Sequence, residues 1–411
     1  MVSNERVAVI GAGVAGLTAA YLLQRRYEVV LFEAQDRLGG HAHTHDVGEV
    51  AVDSGFIVHN ERTYPNLVRL FRELDVSTQD TEMSMSVRCR GCGLEYVGGR
   101  GLGGLFAQPS TMVNGRYLRM LREVVRFHRD ARRLLAYPGR DDITFGMFLA
   151  AGGYSQFFVQ HFALPLVSAV WSAGTLESRQ YPARYLFTFL ANHGMLSVSG
   201  SPRWRSVVGG SRTYVERAVK ELTAVHVSTP VRGVTVHPYG VEIECADGLY
   251  LADRVVIATH PDEALALLTH PTVDEKRVLG AFEYSRNETW LHTDTSVLPA
   301  KARASWNYLK TSCADGPPLV SYDMNRLMRL DTPSTYVVTL NATDRVAPGS
   351  VVAKMNYSHP IYTPQALAAQ KQLPRLNNRR VAYAGAYHGW GFHEDGCAAG
   401  VRAAEALGVT W

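Results

Sequence analysis

Val7-Ala-Val-Ile-Gly11-Ala12-Gly13-Val14-Ala15-Gly16, followed by Glu33-Ala34 and Arg37-Leu-Gly39-Gly40, is the stretch on which the fold turns. Val7 to Ile10 is a short apolar run suited to a buried parallel strand. Gly11 permits a sharp turn. Gly13, with no Cβ, lets a pyrophosphate approach the backbone, and Gly16 lets the next helix, Val14 to Arg26, pack close to the strand. The N-terminus of that helix directs partial positive charge at phosphate. Val29 to Phe32 forms a second strand. Glu33, 22 positions after Gly11, stands where a carboxylate accepts hydrogen bonds from both ribose hydroxyls and repels a 2′-phosphate, which disfavours NADP. A lone glycine fingerprint reads equally as an ordinary turn. Here the strand, the helix and the acid all stand in place, and the reading is a dinucleotide site. The fingerprint does not separate NAD from FAD, whereas Arg37-Leu-Gly39-Gly40 favours FAD by offering a second close backbone approach to the pyrophosphate.

Glu33-Ala34-Gln-Asp-Arg37-Leu-Gly39-Gly40 resembles the segment shared by monoamine oxidases, protoporphyrinogen oxidases and phytoene desaturases. In many of these an Arg follows the glycine pair; here His41 stands in that place. Asp53-Ser-Gly55-Phe56-Ile57 resembles the next element, where the chain passes beside the flavin. Val208-Gly209-Gly210-Ser211 resembles the glycine pair that reopens the nucleotide domain. Val231 matches the residue whose backbone meets the adenine, and Asp253-Arg-Val-Val-Ile-Ala-Thr259 resembles the strand that ends near the cofactor. At the C-terminus, Val381-Ala-Tyr-Ala-Gly385-Ala386 reads as a last parallel strand, and Glu394-Asp395-Gly396 then opens a helix from Cys397 to Leu407 whose N-terminus the resemblance places against the flavin. The resemblance implies an α/β chain with a discontinuous Rossmann-like FAD-binding domain, an inserted α+β substrate domain and an amine-oxidase-like architecture, with noncovalently bound FAD. Asn60-Glu-Arg-Thr-Tyr-Pro65, Arg100-Gly-Leu-Gly-Gly-Leu-Phe106, Met324-Asn-Arg-Leu327 and Gly389-Trp-Gly-Phe-His-Glu-Asp-Gly396 are further similar to a bacterial branch of FAD/NAD-binding oxidoreductases associated with cyclopropane-fatty-acid-synthase-like methyltransferases. That likeness implies lipid chemistry and a methyltransferase partner.

The chain has 411 residues, enough for two domains, and its 46% hydrophobic and 19% charged content suits a soluble globule. A net charge of +4, without a recognition motif, gives no argument for nucleic acid. The first strand begins within a few residues of Met1, so no signal peptide is expected. Phe157 to Ala173, the most apolar stretch, contains Gln160, His161 and Pro165 and reads as one or two buried helices rather than a membrane span. The five cysteines are an odd count and suggest reduced thiols in a cytoplasm. Cys89-Arg-Gly-Cys92-Gly resembles half a zinc knuckle, but no second Cys pair follows, and a distant His or carboxylate pair would have to complete it. The expectation is a turn between two short strands and no metal. Cys397 reads as a small buried helix residue, not a covalent flavin link.

The expected nucleotide domain comprises residues 1–60, 206–268 and 379–411. A mostly helical insertion at 61–205 and a strand-bearing one at 269–378 would form the substrate domain. Expected elements include the helix Tyr214 to Leu222, strands Val225 to Ser228, Val231 to Val236 and Val241 to Cys245 with a turn at Ala246-Asp-Gly248, and the helix Asp262 to Leu268.

Tyr387-His388-Gly-Trp390-Gly-Phe-His393 lies between the last strand and the flavin-facing helix. Tyr387, His388, Trp390 and His393 are the candidate catalytic residues. The rings would cage an apolar or amine substrate, and the histidines would move protons near neutral pH. The competing reading makes the rings core and bonds the histidines to backbone. His41, His43, His45 and His59 read as cofactor-supporting. Arg119, Arg122, Arg126, Arg129 and Arg133 repeat at intervals of 3, 4, 3 and 4, a helical stripe that reads as a solvated face or as a docking surface for an anionic membrane or an acidic acyl carrier. The expected activity is removal of a hydride from a fatty-acyl or lipid-like substrate by a protein that is cytoplasmic and peripheral to the inner membrane face. The alternatives are an amine oxidase and a flavoprotein subunit of a lipid methyltransferase.

Overall fold

The structure, a computed structural model, describes residues 5–137, 139, 143–171, 174–197, 200–314, 319–341 and 343–411. The apolar strands Arg6–Ile10, Glu28–Phe32 and Arg254–Ile257 are buried at all but their first positions, as expected where both faces of a parallel sheet are covered. They join Ala224–His226 and Val381–Tyr383 in a five-stranded parallel sheet. Its order is Ala224–His226, Glu28–Phe32, Arg6–Ile10, Arg254–Ile257, Val381–Tyr383. The chain leaves Arg6–Ile10 to one side and later returns on the other. The crevice beyond the carboxyl ends of Arg6–Ile10 and Arg254–Ile257 is therefore the switch point at which such sheets bind ligands.

One face of this sheet packs on the helices Val14–Leu23, Arg212–Val219 and His393–Ala406. The other face carries the antiparallel sheet Val231–His237, Gly240–Cys245 and Gly248–Ala252, together with the helix Pro261–Leu267. Val278, Leu279, Ala366, Ala369 and Leu373, from segments expected in the substrate domain, also pack on this face. So does Pro65–Glu73 on the opposite face, through Leu67, Leu70 and Phe71.

A mixed seven-stranded sheet forms the second layer system, in the order Val351–Ile361, Glu283–His292, Val337–Leu340, Leu319–Asp323, Trp306–Lys310, Met85–Cys89, Glu95–Gly98. Helices Gly115–Ala136, Phe145–Ala151, Leu164–Trp171 and Ala183–Asn192 share its core through Tyr117, Phe127, Phe145, Val167 and Phe187. The apolar stretch from Phe157 breaks at a π-helical turn, Val159–Ala163, before Leu164–Trp171; Ser172 and Ala173 lie outside the described residues. Among the described residues no helix is long and apolar enough to cross a membrane.

The last helix starts at His393, four residues before the expected Cys397, because the Asp395 carboxylate accepts the Phe392 N–H at 2.9 Å and caps it. The last strand ends at Tyr383, and Ala386–His388 is a 3₁₀ turn.

Val14–Leu23 and His393–Ala406 lie unusually close. A Cβ on Gly400 would sit 2.4 Å from the Ala15 carbonyl oxygen, and one on Gly396 would sit 2.7 Å from Val14 Cγ1. Gly400→Val is therefore expected to cost about 1–3 kcal/mol by forcing these helices apart. Urea denaturation checks this; a midpoint equal to wild type would mean that the two helices do not touch there.

Candidate functional site

The turn after Arg6–Ile10 is built by close approach. Gly11, at φ +97°, donates its N–H to the Phe32 carbonyl at 2.8 Å. A Cβ on Gly16 would lie 1.9 Å from the Gly11 oxygen, whereas one on Gly13 would meet nothing within 4 Å. The turn thus presses on its own helix and opens outward at Gly13. No side chain caps the helix at Gly13, so its first N–H groups face that opening. The second glycine pair closes on the first: Gly39 N–H donates to the Ala12 oxygen at 2.8 Å, and a Cβ on Gly40 would sit 3.0 Å from Gly13 Cα. Arg37 Nη1 is buried there without a hydrogen-bond partner. An open backbone cradle, an uncapped helix start and an orphaned guanidinium nitrogen together fit a dinucleotide pyrophosphate.

Glu33 ends the second strand beside this turn. Its Oε2 accepts the Ala12 N–H at 2.8 Å and its Oε1 the Gln35 N–H at 2.9 Å. Ala34 is exposed next to it. Ser228 and Thr229 donate N–H groups to the Gln35 and Glu33 carbonyls at 2.8 and 2.9 Å, which ties the segment before Val231 to the end of the second strand. Ala258 N–H bonds to the Ile10 oxygen at 2.8 Å and sets Thr259 against Gly11.

Farther along, His41 and Gly55-Phe56-Ile57 are stitched together. Phe56 N–H donates to the His41 oxygen at 2.7 Å, and a Cβ on Gly55 would come within 2.1 Å of that oxygen. Phe56 stacks on His393 at 3.8 Å, and Ile57 is buried. Asp53, absent from the sequence-based site, is the clamp here. Its buried carboxylate accepts the Ser211 N–H at 2.9 Å, the Ser211 hydroxyl at 2.8 Å and the Thr44 hydroxyl at 2.5 Å, and so fixes the Arg212–Val219 helix. Burial raises it to about 6.

The structure adds Tyr357 and His359 from the strand Val351–Ile361. His41 stacks on Tyr357 at 4.9 Å and meets His359 edge-on at 5.6 Å. Tyr357 hydroxyl also bonds His43 Nδ1 at 3.1 Å and Ser54 Oγ at 2.7 Å, and Ser54 bonds His45 at 2.8 Å. The two-residue spacing of Tyr357 and His359 on one strand face was the available signal. Burial drives His41 far down, with like charge from His359, His260, His393 and Arg37 adding to the shift. His41, His43, His359 and His393 therefore stand in the fold as neutral rings.

The loop from Gly385 splits in its roles. Tyr387 packs on Phe282 at 5.4 Å in the core beneath the parallel sheet and is almost fully buried. His393 is held between Phe56 and the Tyr214 hydroxyl, the latter at 2.9 Å. Glu394 is tied to another helix: its oxygens accept Asn66 N–H, Asn66 Nδ2 and Leu67 N–H at 3.1, 2.7 and 3.0 Å and cap the helix Pro65–Glu73. Gly396 packs against Val14 and lies near Ala386 N. Trp390 and Phe392 meet the substrate domain: Trp390 lies 6.1 Å from both Tyr185 and Phe189, and Phe392 stacks on Phe189 at 4.7 Å. Tyr185 hydroxyl and Gln370 Nε2 donate to the Gly389 oxygen at 2.6 and 2.7 Å, and Trp171 Nε1 to the Trp390 oxygen at 3.2 Å. His388 Nε2, Trp390 Nε1 and Tyr362 Oη are buried without partners.

The expectation that His388 and His393 titrate near neutral pH is corrected. Burial lowers both to about 3. The group near neutrality is Asp395, raised to about 7 by burial. Cys397 is buried against Thr18, whose hydroxyl lies 3.5 Å from its sulfur, as a packing residue would be. The sequence also places no further ligand beside the Cys89–Cys92 turn, yet Cys313 and His161 both converge on it.

A family model described as flavin containing amine oxidoreductase matches residues 14–293. AofH of Mycobacterium tuberculosis (strain H37Rv), named as a flavin-containing monoamine oxidase, is 29% identical over 282 residues, covering 64% of this chain and 59% of that protein. The chain thus spans under two thirds of that relative's length. A CLA-producing fatty acid isomerase from P. acnes superposes with a TM-score of 0.68 at 16% identity, covering 97% of this chain and 98% of that one. Wild-type putrescine oxidase bound to putrescine superposes with a TM-score of 0.69 at 15% identity, covering 99% of each. At these identities the likeness is one of fold.

Two outcomes are expected. Gly13→Val fills the cradle and abolishes FAD binding, while Glu33→Ala weakens it by about 1.5–3 kcal/mol, the value of a charge-assisted hydrogen bond. Flavin released on denaturation measures both; full occupancy in Gly13→Val would remove the phosphate turn from the site. The second outcome concerns pH. His43, His388 and His393 at about 3, His59 and His359 at about 4, and His41 well below its ordinary value stay neutral in the fold. The unfolded chain takes up these protons below about pH 6.5, so it binds more protons than the fold and stability falls as pH falls through that value. Asp53 and Asp395 act oppositely, because the fold keeps their protons up to about 6 and 7 and their contribution is lost as pH rises. The histidines outnumber them, so the melting temperature drops between about pH 7 and pH 5. A constant or rising melting temperature over that range would show that these imidazoles charge within the fold.

Proposed function

The chain belongs to the flavin-containing amine oxidoreductase family, whose cofactor is FAD, and from that membership we propose an FAD-dependent oxidoreductase that dehydrogenates an apolar, fatty-acyl or lipid-like substrate. FAD, when bound, supplies the ring that accepts the hydride. The protein's own residues supply position, a dry wall and fixed polar groups. Gly11 to Gly16, Arg37, Gly39 and Gly40 would cradle the pyrophosphate, and Glu33 would hold the ribose. His41 and His359, kept neutral by burial, would offer hydrogen-bonding rather than charged groups to a bound flavin or substrate.

The observation that carries the substrate reading is the aromatic seam. Trp390 and Phe392 meet Tyr185, Phe189 and Trp171, and Tyr362 lies 5.0 Å from Tyr185. Such a wall excludes water and suits a chain of methylenes. The two carboxylates at the helix start, Glu394 and Asp395, are held in place by the N–H groups of Asn66, Leu67 and Phe392. His388 Nε2, Trp390 Nε1 and Tyr362 Oη would orient one polar substrate group. Asp395 positions the loop through Phe392. The fatty acid isomerase of the same fold is consistent with this reading.

Amine oxidation is the second reading, supported by the names of AofH and putrescine oxidase and by the affinity of aromatic faces for cations. A flavoprotein subunit of a methyltransferase is the third. Delivery of a lipid would use the helix Gly115–Ala136. Arg119, Arg122, Arg129 and Arg133 are exposed on it, Arg126 lies over the Tyr154 ring at 4.2 Å, and Glu123 and Asp130 partly balance the charge. Val113 and Val125 are exposed on the same stretch. This face suits an anionic membrane surface or an acidic acyl carrier.

Anaerobic mixing of the yellow protein with acyl lipids and with amines decides among the readings. Bleaching of the flavin by an acyl lipid is expected, with His388→Ala and Trp390→Ala slowing it by roughly 10²-fold at unchanged FAD content, because the substrate loses its orienting groups. Bleaching by amines alone supports the second reading. Bleaching by neither, with a copurifying methyltransferase, supports the third.

A further inference from the structure

We propose that Cys89, Cys92, Cys313 and His161 form a structural zinc site of Cys₃His type on the substrate domain, apart from the flavin crevice. The four ligand atoms all lie within 4.8 Å of one another. Cys89 Sγ is 3.7 Å from Cys313 Sγ, and Cys92 Sγ is 3.4 Å from His161 Nε2. Tetrahedral zinc, with Zn–S of about 2.3 Å and Zn–N of about 2.0 Å, spaces its ligands by about 3.8 Å between two sulfurs and about 3.5 Å between sulfur and nitrogen. The two separations match those edges.

The backbone builds this site from three distant segments. Cys89 ends the strand Met85–Cys89, in register with Lys310 at the end of the parallel strand Trp306–Lys310. Cys313 follows three residues later. The tight turn from Cys89 to Glu95 is closed by Gly93 N–H to the Cys89 oxygen at 2.9 Å, and Arg90 N–H bonds the Lys310 oxygen at 2.9 Å. Gly91 lets this turn nest on the second loop, since its Cβ would stand 3.0 Å from both Ser312 Cα and Cys313 N. His161 comes from the π-helical turn Val159–Ala163, a local widening of the kind that re-aims side chains at sites.

The histidine is already oriented for a metal. Its Nδ1 lies 3.0 Å from the Phe157 carbonyl oxygen, which can only accept, so Nδ1 carries the proton and Nε2 presents its lone pair to the cysteines. Its ring stacks on Phe157 at 4.3 Å, and its own carbonyl accepts the Tyr96 hydroxyl at 2.7 Å. Three thiolates, a neutral imidazole and Zn²⁺ sum to one negative charge. The buried ammonium of Lys310, bonded to Gln160 Oε1 and the Ala314 oxygen at 3.0 Å each, stands beside the cluster to balance it. Four protein ligands leave no open position, so the ion would staple the hairpin, the loop after Lys310 and the helical layer together rather than perform catalysis.

Metal analysis of the FAD-loaded protein, made without a histidine tag in zinc-supplemented medium, is expected to give about one zinc per chain. Cys92→Ser and Cys313→Ser, both at exposed positions, are expected to lower that content by roughly tenfold or more without lowering FAD content. Wild-type protein stripped of metal and titrated with Co²⁺ gives a readout independent of how the variants fold. Intense d–d bands to the red of the flavin absorption report tetrahedral thiolate ligation. Background zinc together with no such bands would overturn the site. So would an intact mass two hydrogens light, mapped to a disulfide between these cysteines.

Discussion

The uncapped start of the Val14–Leu23 helix is the constraint around which the rest is arranged. Its first N–H groups have no side-chain acceptor, and leaving them so is tolerable only where an anion or water completes them. Everything nearby keeps that opening clear. Gly16 draws the helix onto the turn, Gly39 bonds the turn from outside, and Gly396 and Gly400 bring the last helix against the first. Larger residues at these positions would push apart elements whose separation defines the cradle. Arg37 sets one more unsatisfied donor beside it. The helix start is thus a charge-accepting end held open by contacts that small residues alone allow.

Much of this was legible in the sequence, since a strand, a glycine turn, a helix and an acid follow one another without interruption over thirty-odd residues. Local spacing placed the turn from Gly11 to Gly16 between the first two parallel strands and Glu33 at the end of the second. What it missed was set by tertiary contact. Asp53 stands in the segment that resembles the flavin-side element, but its carboxylate clamps Ser211, more than 150 positions away. Glu394 reads as a residue at a flavin-facing helix start, but it caps another helix across the molecule. Tyr387 and His393 share a loop with Trp390, yet the backbone sends the first into the sheet core and the second against Phe56. Side-chain direction in an irregular loop carries no period that could be read in advance.

Burial also reverses the chemistry that composition suggests. A loop with two histidines reads as a proton relay, because free imidazole titrates near neutrality. Inside this crevice the cost of placing charge away from water keeps those rings neutral, while the same cost brings the Asp395 carboxyl up to about 7. Environment, not residue type, decides which group titrates under physiological conditions.

The parallel sheet takes its strands from residues 6–10, 28–32, 224–226, 254–257 and 381–383, and the first helix rests on one that begins at 393. About 380 positions separate the cradle at Gly13 from the helix that begins at His393 and backs it. The loop that must close before the two meet is correspondingly long, and closing so long a loop is slow. The nucleotide therefore finds a finished binding site only late in folding, after apolar strands far apart in sequence have found one another.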